Sequence, residues 1–181
     1  GNNEKTLNKL GKEYGKDYLI SFIHAKSHAG YYPEALPITI KLIFDLEGKI
    51  LGAQSVGYDG VDKRIDVIAT AIRFGGTIYD LKELELAYAP PYSSAKDPVN
   101  MAGYVAENIL NKDVDTIFWN ELDDLDRENS IILDVTDPEE REMGYVEGSI
   151  NIPLNDLRDR LDELDKDKLI VPYCGIGIRG Y

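Results

Sequence analysis

The chain has 181 residues, 43% of them hydrophobic, so it is long enough to build one large or two small domains with buried cores. Its formal net charge of −13 argues against nucleic acid as a partner, because the phosphates would be repelled. No apolar run approaches the length of a membrane span, no signal peptide precedes the first motif, and one cysteine cannot form a disulfide framework. We therefore expect a cytoplasmic protein with no membrane segment.

The negative charge is concentrated in the last part of the chain. Residues 1–111 carry 12 Lys and Arg against 14 Asp and Glu, whereas residues 112–181 carry 8 against 19. Such a shift predicts two domains, 1–111 and 112–181, that meet near Asn111. A solvated acidic surface explains the same charge without any functional meaning.

The first domain begins with the pattern of an antiparallel sheet. Apolar side chains alternate with polar or small ones in residues 18–24 and again in 38–44, which predicts two half-buried strands. A turn at Glu47-Gly48 leads to residues 50–56, the predicted hairpin partner of the second strand.

A short helix is predicted at residues 4–10, before the sheet, and two longer helices are predicted after it. Asp97 and Pro98 provide an N-cap and a first helical position for a helix that runs to about Leu110. Four apolar residues at helical spacing predict an earlier helix that ends at a glycine pair: Val61, Ile65, Ile68 and Ile72, followed by Gly75-Gly76. Strands first and then helices indicate an α+β domain.

Three segments of this domain carry its most specific motifs. They are GYYP at 30–33, GVDKRIDV at 60–67 and YAPPYSSAKDPVN at 88–100. Together they resemble the C-terminal dimerisation domain of FAD-dependent pyridine nucleotide–disulfide reductases, of the coenzyme A-disulfide reductase type and its rhodanese-fused relatives. The resemblance covers roughly residues 2–111. It implies a homodimer in which this domain completes the active site of the partner subunit.

The resemblance also assigns roles to two tyrosines. Tyr31 and Tyr88 match the family positions whose phenols approach the sulfur of coenzyme A, while the redox-active cysteine of that family belongs to the FAD domain. A phenol is suited to this role because it can donate a hydrogen bond to a developing thiolate. Tyrosines beside prolines also pack as ordinary interface residues. That second interpretation stays open, most of all for Tyr32 and Tyr92.

Two basic residues and two histidines give weaker signals. Lys63 and Arg64 lie near the start of a predicted helix and are candidates for binding the phosphates of coenzyme A, although a solvated helix face explains them as well. His24 and His28 are four residues apart, but a strand pattern covers them and no carboxylate or cysteine joins them. We therefore expect no metal site.

The second domain alternates strand and helix, which indicates an α/β fold. Its apolar run at residues 169–173 leads into Cys174, which a glycine-rich loop and Arg179 follow. Backbone N–H groups that curl around one point bind an anion, so this loop should lower the pKa of the thiol and make it a nucleophile. The loop between them consists of Gly175, Ile176, Gly177 and Ile178.

Three other interpretations of this loop remain open. Cys174 is an inert core cysteine in the first. In the second, residues 175–180 are a G-x-G-x-x-G dinucleotide fingerprint, which needs a following helix and a distant acid. The third is a cysteine phosphatase loop, but such loops resemble Cys, five residues and Arg, whereas only four residues separate Cys174 from Arg179.

The four-residue spacing resembles that of rhodanese (sulfurtransferase) domains. The segments IILDV at 131–135 and GYVEGSINIP at 144–153 resemble two further rhodanese motifs, with Tyr145 in place of the usual histidine and Thr136 in place of a common arginine. The family continues into a helix where this sequence stops, so we expect a rhodanese-like domain that is incomplete at its C-terminus.

These resemblances imply the C-terminal region of an FAD- and NAD(P)H-dependent reductase that acts on CoA disulfide, CoA persulfide or polysulfide. Cys174 would carry sulfane sulfur, and coenzyme A would be substrate or ligand. We expect the chain by itself to bind neither FAD nor NADH and to be inactive. The alternatives are a dimerisation or docking module without turnover and a free-standing sulfurtransferase.

Overall fold

The computed structural model describes residues 1–181, which divide into two compact units, Gly1–Asp115 and Thr116–Tyr181. The fold class expected from the sequence is confirmed. The first unit is an antiparallel sheet with helices, and the second is an α/β unit with a parallel sheet. None of the helices combines the length and the apolar character needed to cross a membrane.

A three-stranded antiparallel sheet forms the centre of the first unit. Its strands are β1 (Leu19–Lys26), β2 (Pro37–Phe44) and β3 (Ile50–Gly57), in the order β1-β2-β3. The alternation predicted from the sequence is visible in β2, where Ile38, Ile40 and Leu42 are buried. Because side chains of a strand point alternately to its two faces, this alternation fixes which face of the sheet packs on the helices.

Four helices accompany the sheet: α1 (Glu4–Lys9), α2 (Val61–Arg73), α3 (Ile78–Glu83) and α4 (Pro98–Leu110). The predicted N-cap of α4 is present, because an Asp97 carboxylate oxygen accepts the Val99 N–H at 3.0 Å. Helix α3 was not predicted from the sequence. It is only six residues long and begins with a capping box formed by Thr77 and Asp80.

The core of this unit lies between the sheet and helices α2, α3 and α4. Helix α4 packs closely on α3 at Gly103, where an added Cβ would lie 2.7 Å from the carbonyl oxygen of Ile78. The buried core residues are Ile23, Ile40, Leu42, Phe44, Ile50, Ile68, Ile78, Leu81, Val99, Ala102 and Ala106. Burying a side chain of this size contributes about 1.5–3 kcal/mol, so this core is the main source of the unit's stability.

The second unit is built on a parallel sheet in the order β5-β4-β6. Its strands are β4 (Ser130–Asp134), β5 (Ile150–Asn151) and β6 (Leu169–Tyr173), with helix α5 (Pro138–Arg141) between β4 and β5. One 3₁₀ helix, Trp119–Asp124, precedes β4, and another, Leu157–Glu163, lies between β5 and β6. Because parallel strands end at the same edge of a sheet, the residues after β4 and after β6 lie side by side.

Candidate functional site

Cys174 lies at this carboxyl edge of the parallel sheet, directly after β6. The Val135 N–H donates to the carbonyl oxygen of Tyr173 at 3.1 Å, which ties the end of β6 to the residue after β4. The following loop turns tightly at Gly177, whose φ is +87°, and is closed by a hydrogen bond from the Tyr181 N–H to the Gly177 carbonyl at 2.8 Å. A glycine fits there because other residues rarely adopt this backbone conformation.

The loop directs its backbone N–H groups at the sulfur of Cys174. Burial of the thiol raises its pKa, but the N–H groups hydrogen-bonded to the sulfur outweigh burial, and the pKa lies below that of an ordinary cysteine. The donating N–H groups belong to Ile176, Gly180, Arg179 and Gly177. The arrangement therefore stabilises the thiolate form of Cys174 more than in an ordinary cysteine.

Arg179 closes the loop by joining it to helix α5. Its two terminal nitrogens donate to the two carboxylate oxygens of Glu140 at 2.6 and 2.7 Å, and Asp137 lies 3.6 Å from one of them. These contacts raise the pKa of Arg179 and lower that of Glu140, chiefly through the hydrogen bonds between the two side chains. The sulfur of Cys174 also contributes to the raised pKa of Arg179.

Below the loop, Asp134 at the end of β4 is the centre of a buried polar network. Its carboxylate accepts hydrogen bonds from the Thr136 hydroxyl at 2.5 Å, from Arg141 at 2.7 Å and from the Tyr173 hydroxyl at 2.9 Å. Burial raises the pKa of Asp134, but these hydrogen bonds outweigh it and the pKa is lowered. Thr136, one of the two departures from the rhodanese pattern, thus has a structural role, because its hydroxyl donates to Asp134.

The other departure, Tyr145, packs against the same network. The guanidinium of Arg141 lies 4.1 Å from the centre of the Tyr145 ring, in a cation–π contact. Arg141 also donates to the hydroxyl and the carbonyl oxygen of Ser149, both at 2.9 Å. Sequence reasoning missed the contacts of Asp134, Glu140 and Arg141 with each other and with Tyr173 and Arg179, because these partners lie 7 to 39 residues apart along the chain.

The two tyrosines predicted to act together are in contact in the first unit. The hydroxyl oxygens of Tyr31 and Tyr88 are 2.8 Å apart, although the residues are 57 positions apart in sequence. Their side chains are 78% and 47% exposed, respectively. The hydrogen bond to Tyr31, with some burial, raises the pKa of Tyr88. A tyrosine phenol is protonated at neutral pH in any case, so it can donate a hydrogen bond there.

The structure corrects the expectation for Arg64. Its side chain is 1% exposed and donates to Asp97, to the Gly60 carbonyl and to the Ser27 carbonyl, so it is neither on a solvated face nor available to a phosphate. Sequence spacing contains a signal for this burial, since Arg64 lies four residues before Ile68 on the apolar face of α2.

Lys63, the two histidines and Tyr92 differ in their exposure and contacts. Lys63 is partly exposed, with its Nζ 3.9 Å from Asp97. His24 hydrogen-bonds the Thr39 hydroxyl at 2.9 Å, while His28 is buried and packs edge-on against Tyr32. Tyr92 is exposed.

Each of the two units matches a known family model. Residues 1–98, more than half of the chain, match the family model of the pyridine nucleotide-disulphide oxidoreductase dimerisation domain. The chain belongs to this family. Residues 118–181 match the rhodanese-like domain. The resemblance stated from the sequence motifs is therefore confirmed.

The chain is similar to curated reductases over its first half. It is 46% identical over 94 residues to the coenzyme A disulfide reductase of Staphylococcus haemolyticus, which is 51% of this chain and 21% of that protein. It is 44% identical over 92 residues to that of Staphylococcus epidermidis, which is 50% of this chain and 21% of that protein. The matched part thus spans about a fifth of these relatives.

Two solved structures are similar over almost the whole chain. Reduced Bacillus anthracis CoADR-RHD is 54% identical with a TM-score of 0.94, covering 100% of this chain and 32% of that one. A NAD-dependent persulfide reductase from A. fulgidus is 43% identical with a TM-score of 0.86, covering 99% of this chain and 31% of that one. The chain thus spans about a third of these proteins.

Proposed function

We propose that this chain is the C-terminal region of an FAD- and NAD(P)H-dependent reductase of CoA disulfide, CoA persulfide or polysulfide, in which Cys174 carries sulfane sulfur. The observation that carries the proposal is the Cys174 thiol, held by four backbone N–H groups in the same chain as a reductase dimerisation domain. The names of the similar proteins, a CoA disulfide reductase and a persulfide reductase, agree with this substrate class.

At Cys174 the chemistry is transfer of one sulfur atom. The thiolate attacks the outer sulfur of a persulfide RSSH, the S–S bond of the donor breaks, and the leaving RS⁻ takes the proton and departs as RSH. Cys174 is left as a persulfide anion, which the same N–H groups stabilise as they stabilised the thiolate. Neither an oxidant nor a reductant is needed for this step.

At the other site, Tyr31 and Tyr88 would act on the sulfur that leaves when a disulfide or persulfide of coenzyme A is reduced. Their phenols are 2.8 Å apart and exposed, so both can face one ligand atom. A phenol that donates to a developing thiolate lowers the cost of the negative charge. In a homodimer these phenols would serve the active site of the partner subunit, and we expect the protein to be cytoplasmic.

The loop of this chain that matches G-x-G-x-x-G does not fit a dinucleotide. The one G-x-G-x-x-G match directs its backbone N–H groups at the sulfur of Cys174, which leaves them unavailable to a pyrophosphate. We therefore propose that FAD and NAD(P)H bind to a part of the longer protein outside these residues. There they would supply the electrons for reduction.

The test is to purify the protein encoded by the complete reading frame and to measure its visible spectrum and its activities. We expect stoichiometric flavin, oxidation of NADH or NADPH with CoA disulfide or persulfide, and transfer of sulfur to a thiol acceptor. Sulfur transfer without flavin would instead indicate a free-standing sulfurtransferase. Absence of both activities would indicate a docking module.

A further inference from the structure

A buried ion pair lies between the two loops that carry Tyr31 and Tyr88. Arg64 on α2 and Asp97 at the start of α4 are each 1% exposed. The guanidinium donates to both carboxylate oxygens, Nε to Oδ1 at 3.3 Å and Nη2 to Oδ2 at 2.9 Å. This two-point contact requires the planar fork of an arginine, which a lysine does not have.

The same guanidinium fixes the first tyrosine loop, residues 27–36. Its Nη2 donates to the carbonyl oxygen of Ser27 at 2.7 Å, directly where the chain leaves β1. The ends of this loop are joined by a hydrogen bond from the Ser27 N–H to the Leu36 carbonyl at 2.8 Å and by one from the Leu36 N–H to the Ser27 hydroxyl at 3.2 Å. Tyr31 projects from the middle of the loop.

The carboxylate of Asp97 fixes the second tyrosine loop, residues 84–97. It accepts the Ser93 hydroxyl at 2.5 Å. The Ser93 backbone then contacts both loops, because its N–H donates to the Ala89 carbonyl at 3.1 Å and its carbonyl accepts the Ala29 N–H at 2.9 Å. Ala89 follows Tyr88 directly, and Ala29 lies two residues before Tyr31.

We propose that Arg64 and Asp97 are positioning residues that hold the two loops in the arrangement in which the phenols of Tyr31 and Tyr88 meet. The role of this contact in turnover rests on the proposed function, whereas the positioning itself does not. A buried ion pair is weak evidence for stability, because the cost of desolvating two charges offsets much of their attraction. Here the ion pair also hydrogen-bonds the Ser27 carbonyl of the first loop and the Ser93 hydroxyl of the second. It therefore joins both loops to α2, in addition to any effect on stability.

The variants are Arg64→Lys and Asp97→Asn in the full-length protein. Lysine keeps the charge but cannot reach the carboxylate and the Ser27 carbonyl as a fork. Asparagine keeps the N-cap acceptor of α4, so the helix is retained while the ion pair is lost. The control is Glu107→Gln, which removes the ion pair of Glu107 with Lys82 on α3, at 2.6 Å, and touches neither loop.

The first measurement is independent of activity. Brief photo-oxidation couples phenols that lie close together, and the Tyr31–Tyr88 dityrosine peptide is quantified by mass spectrometry. We expect its yield to fall at least severalfold in Arg64→Lys and Asp97→Asn and to stay within twofold of the wild type in Glu107→Gln. An unchanged yield in folded Arg64→Lys and Asp97→Asn proteins would overturn the proposal. If Arg64→Lys does not fold, Asp97→Asn and Ser93→Ala decide by the same yield.

The second measurement is turnover in two backgrounds. With both tyrosines present, we expect Arg64→Lys and Asp97→Asn to lower kcat for CoA disulfide about tenfold, while flavin reduction by NADH stays within twofold. In a Tyr31→Phe/Tyr88→Phe background the same changes should have little further effect, because they act through the phenols. An equal loss in both backgrounds would show a general structural role and overturn the proposal. A different outcome separates the two proposals. If Tyr31→Phe/Tyr88→Phe keeps full turnover while the dityrosine yield still falls in Arg64→Lys, the positioning role of Arg64 is supported and the proposed role of the tyrosines in turnover is wrong.

Discussion

Cys174 is the residue at which backbone geometry has the most direct chemical consequence. Its pKa is lowered by backbone N–H groups that are directed at the sulfur only when the loop is folded. It is also the only cysteine of the chain. We predict that the rate of alkylation by iodoacetamide rises with pH at a midpoint below the value of about 8.5 for a free thiol. In urea the midpoint should return to that value. A native midpoint at or above it would contradict a stabilised thiolate.

Glu140 pairs with Arg179, the arginine that closes the Cys174 loop. Its carboxylate holds both terminal nitrogens of the guanidinium, at 2.6 and 2.7 Å. Glu140→Gln removes one negative charge near the thiolate and keeps an oxygen to accept from Arg179, so the pKa of Cys174 should fall further. The alkylation profile would then move to lower pH. Glu139→Gln, the same change on the exposed neighbouring residue, should move it less, and a shift to higher pH in Glu140→Gln would contradict the prediction.

The residues predicted from sequence differ from those missed in how local their contacts are. Cys174 and Arg179 lie in one short loop, so their spacing was sufficient. Glu140 lies 39 residues before Arg179, and nothing in its own neighbourhood indicates the pairing. Arg64 was misjudged because its charge was given more weight than its position on the apolar face of α2. Its partner Asp97 was predicted only as an N-cap, although the same carboxylate also holds Arg64 and Ser93.

At the scale of an element, the end of strand β4 depends on Asp134. Its buried carboxylate accepts from Thr136, Arg141 and Tyr173, and an asparagine would lose the charge that strengthens these bonds. We predict that Asp134→Asn lowers the free energy of unfolding by about 1.5–3 kcal/mol at pH 7, the range for hydrogen bonds to a charged group. Urea unfolding measures this loss. Asp162→Asn, on an exposed residue, should change stability by less than about 0.5 kcal/mol.

The pH dependence of that stability has a definite sign. The pKa of Asp134 is lower in the folded state than in the unfolded chain, so its contribution is fully present above the unfolded value of about 3.9. The contribution is lost as the pH falls through the folded pKa. The stability difference between wild type and Asp134→Asn should therefore shrink on acidification below about pH 4. A difference that stays constant down to the folded pKa would exclude Asp134 as the titrating group.

Most elements with a recognisable local sequence pattern were predicted, including the six-residue helix α1, whereas α3 and β5 were not. Helix α2 and strand β2 each have enough residues for their apolar spacing to be recognised. Helix α3 has six residues and strand β5 has two, so neither shows a period, and each depends on contacts made by the rest of its unit. For α3 the capping box of Thr77 and Asp80 was the available local signal.

At the scale of the whole molecule, the question is which subunit the tyrosines serve. Tyr31 and Tyr88 are exposed in this chain and touch each other, which suits a site completed by contact with another surface. A dimer with two-fold symmetry places the same surface of each subunit against the other, so the phenols of one subunit would complete the site of its partner. Single Tyr31→Phe and Tyr88→Phe changes should then slow CoA-disulfide reduction roughly 10- to 150-fold, the effect of about 1.5–3 kcal/mol for one hydrogen bond to a charged group.

Mixed dimers of the full-length protein separate action within a subunit from action across the interface. One chain carries Tyr31→Phe and Tyr88→Phe, and the other lacks the redox-active cysteine that the family resemblance places in the FAD domain. If the tyrosines act across the interface, the mixed dimer has one complete site, formed by the cysteine of the first chain and the tyrosines of the second. Turnover should then recover to about half that of the wild-type dimer, well above either parent. If they act within their own subunit, no site is complete and activity stays at about half that of the tyrosine-variant dimer, which would contradict the prediction.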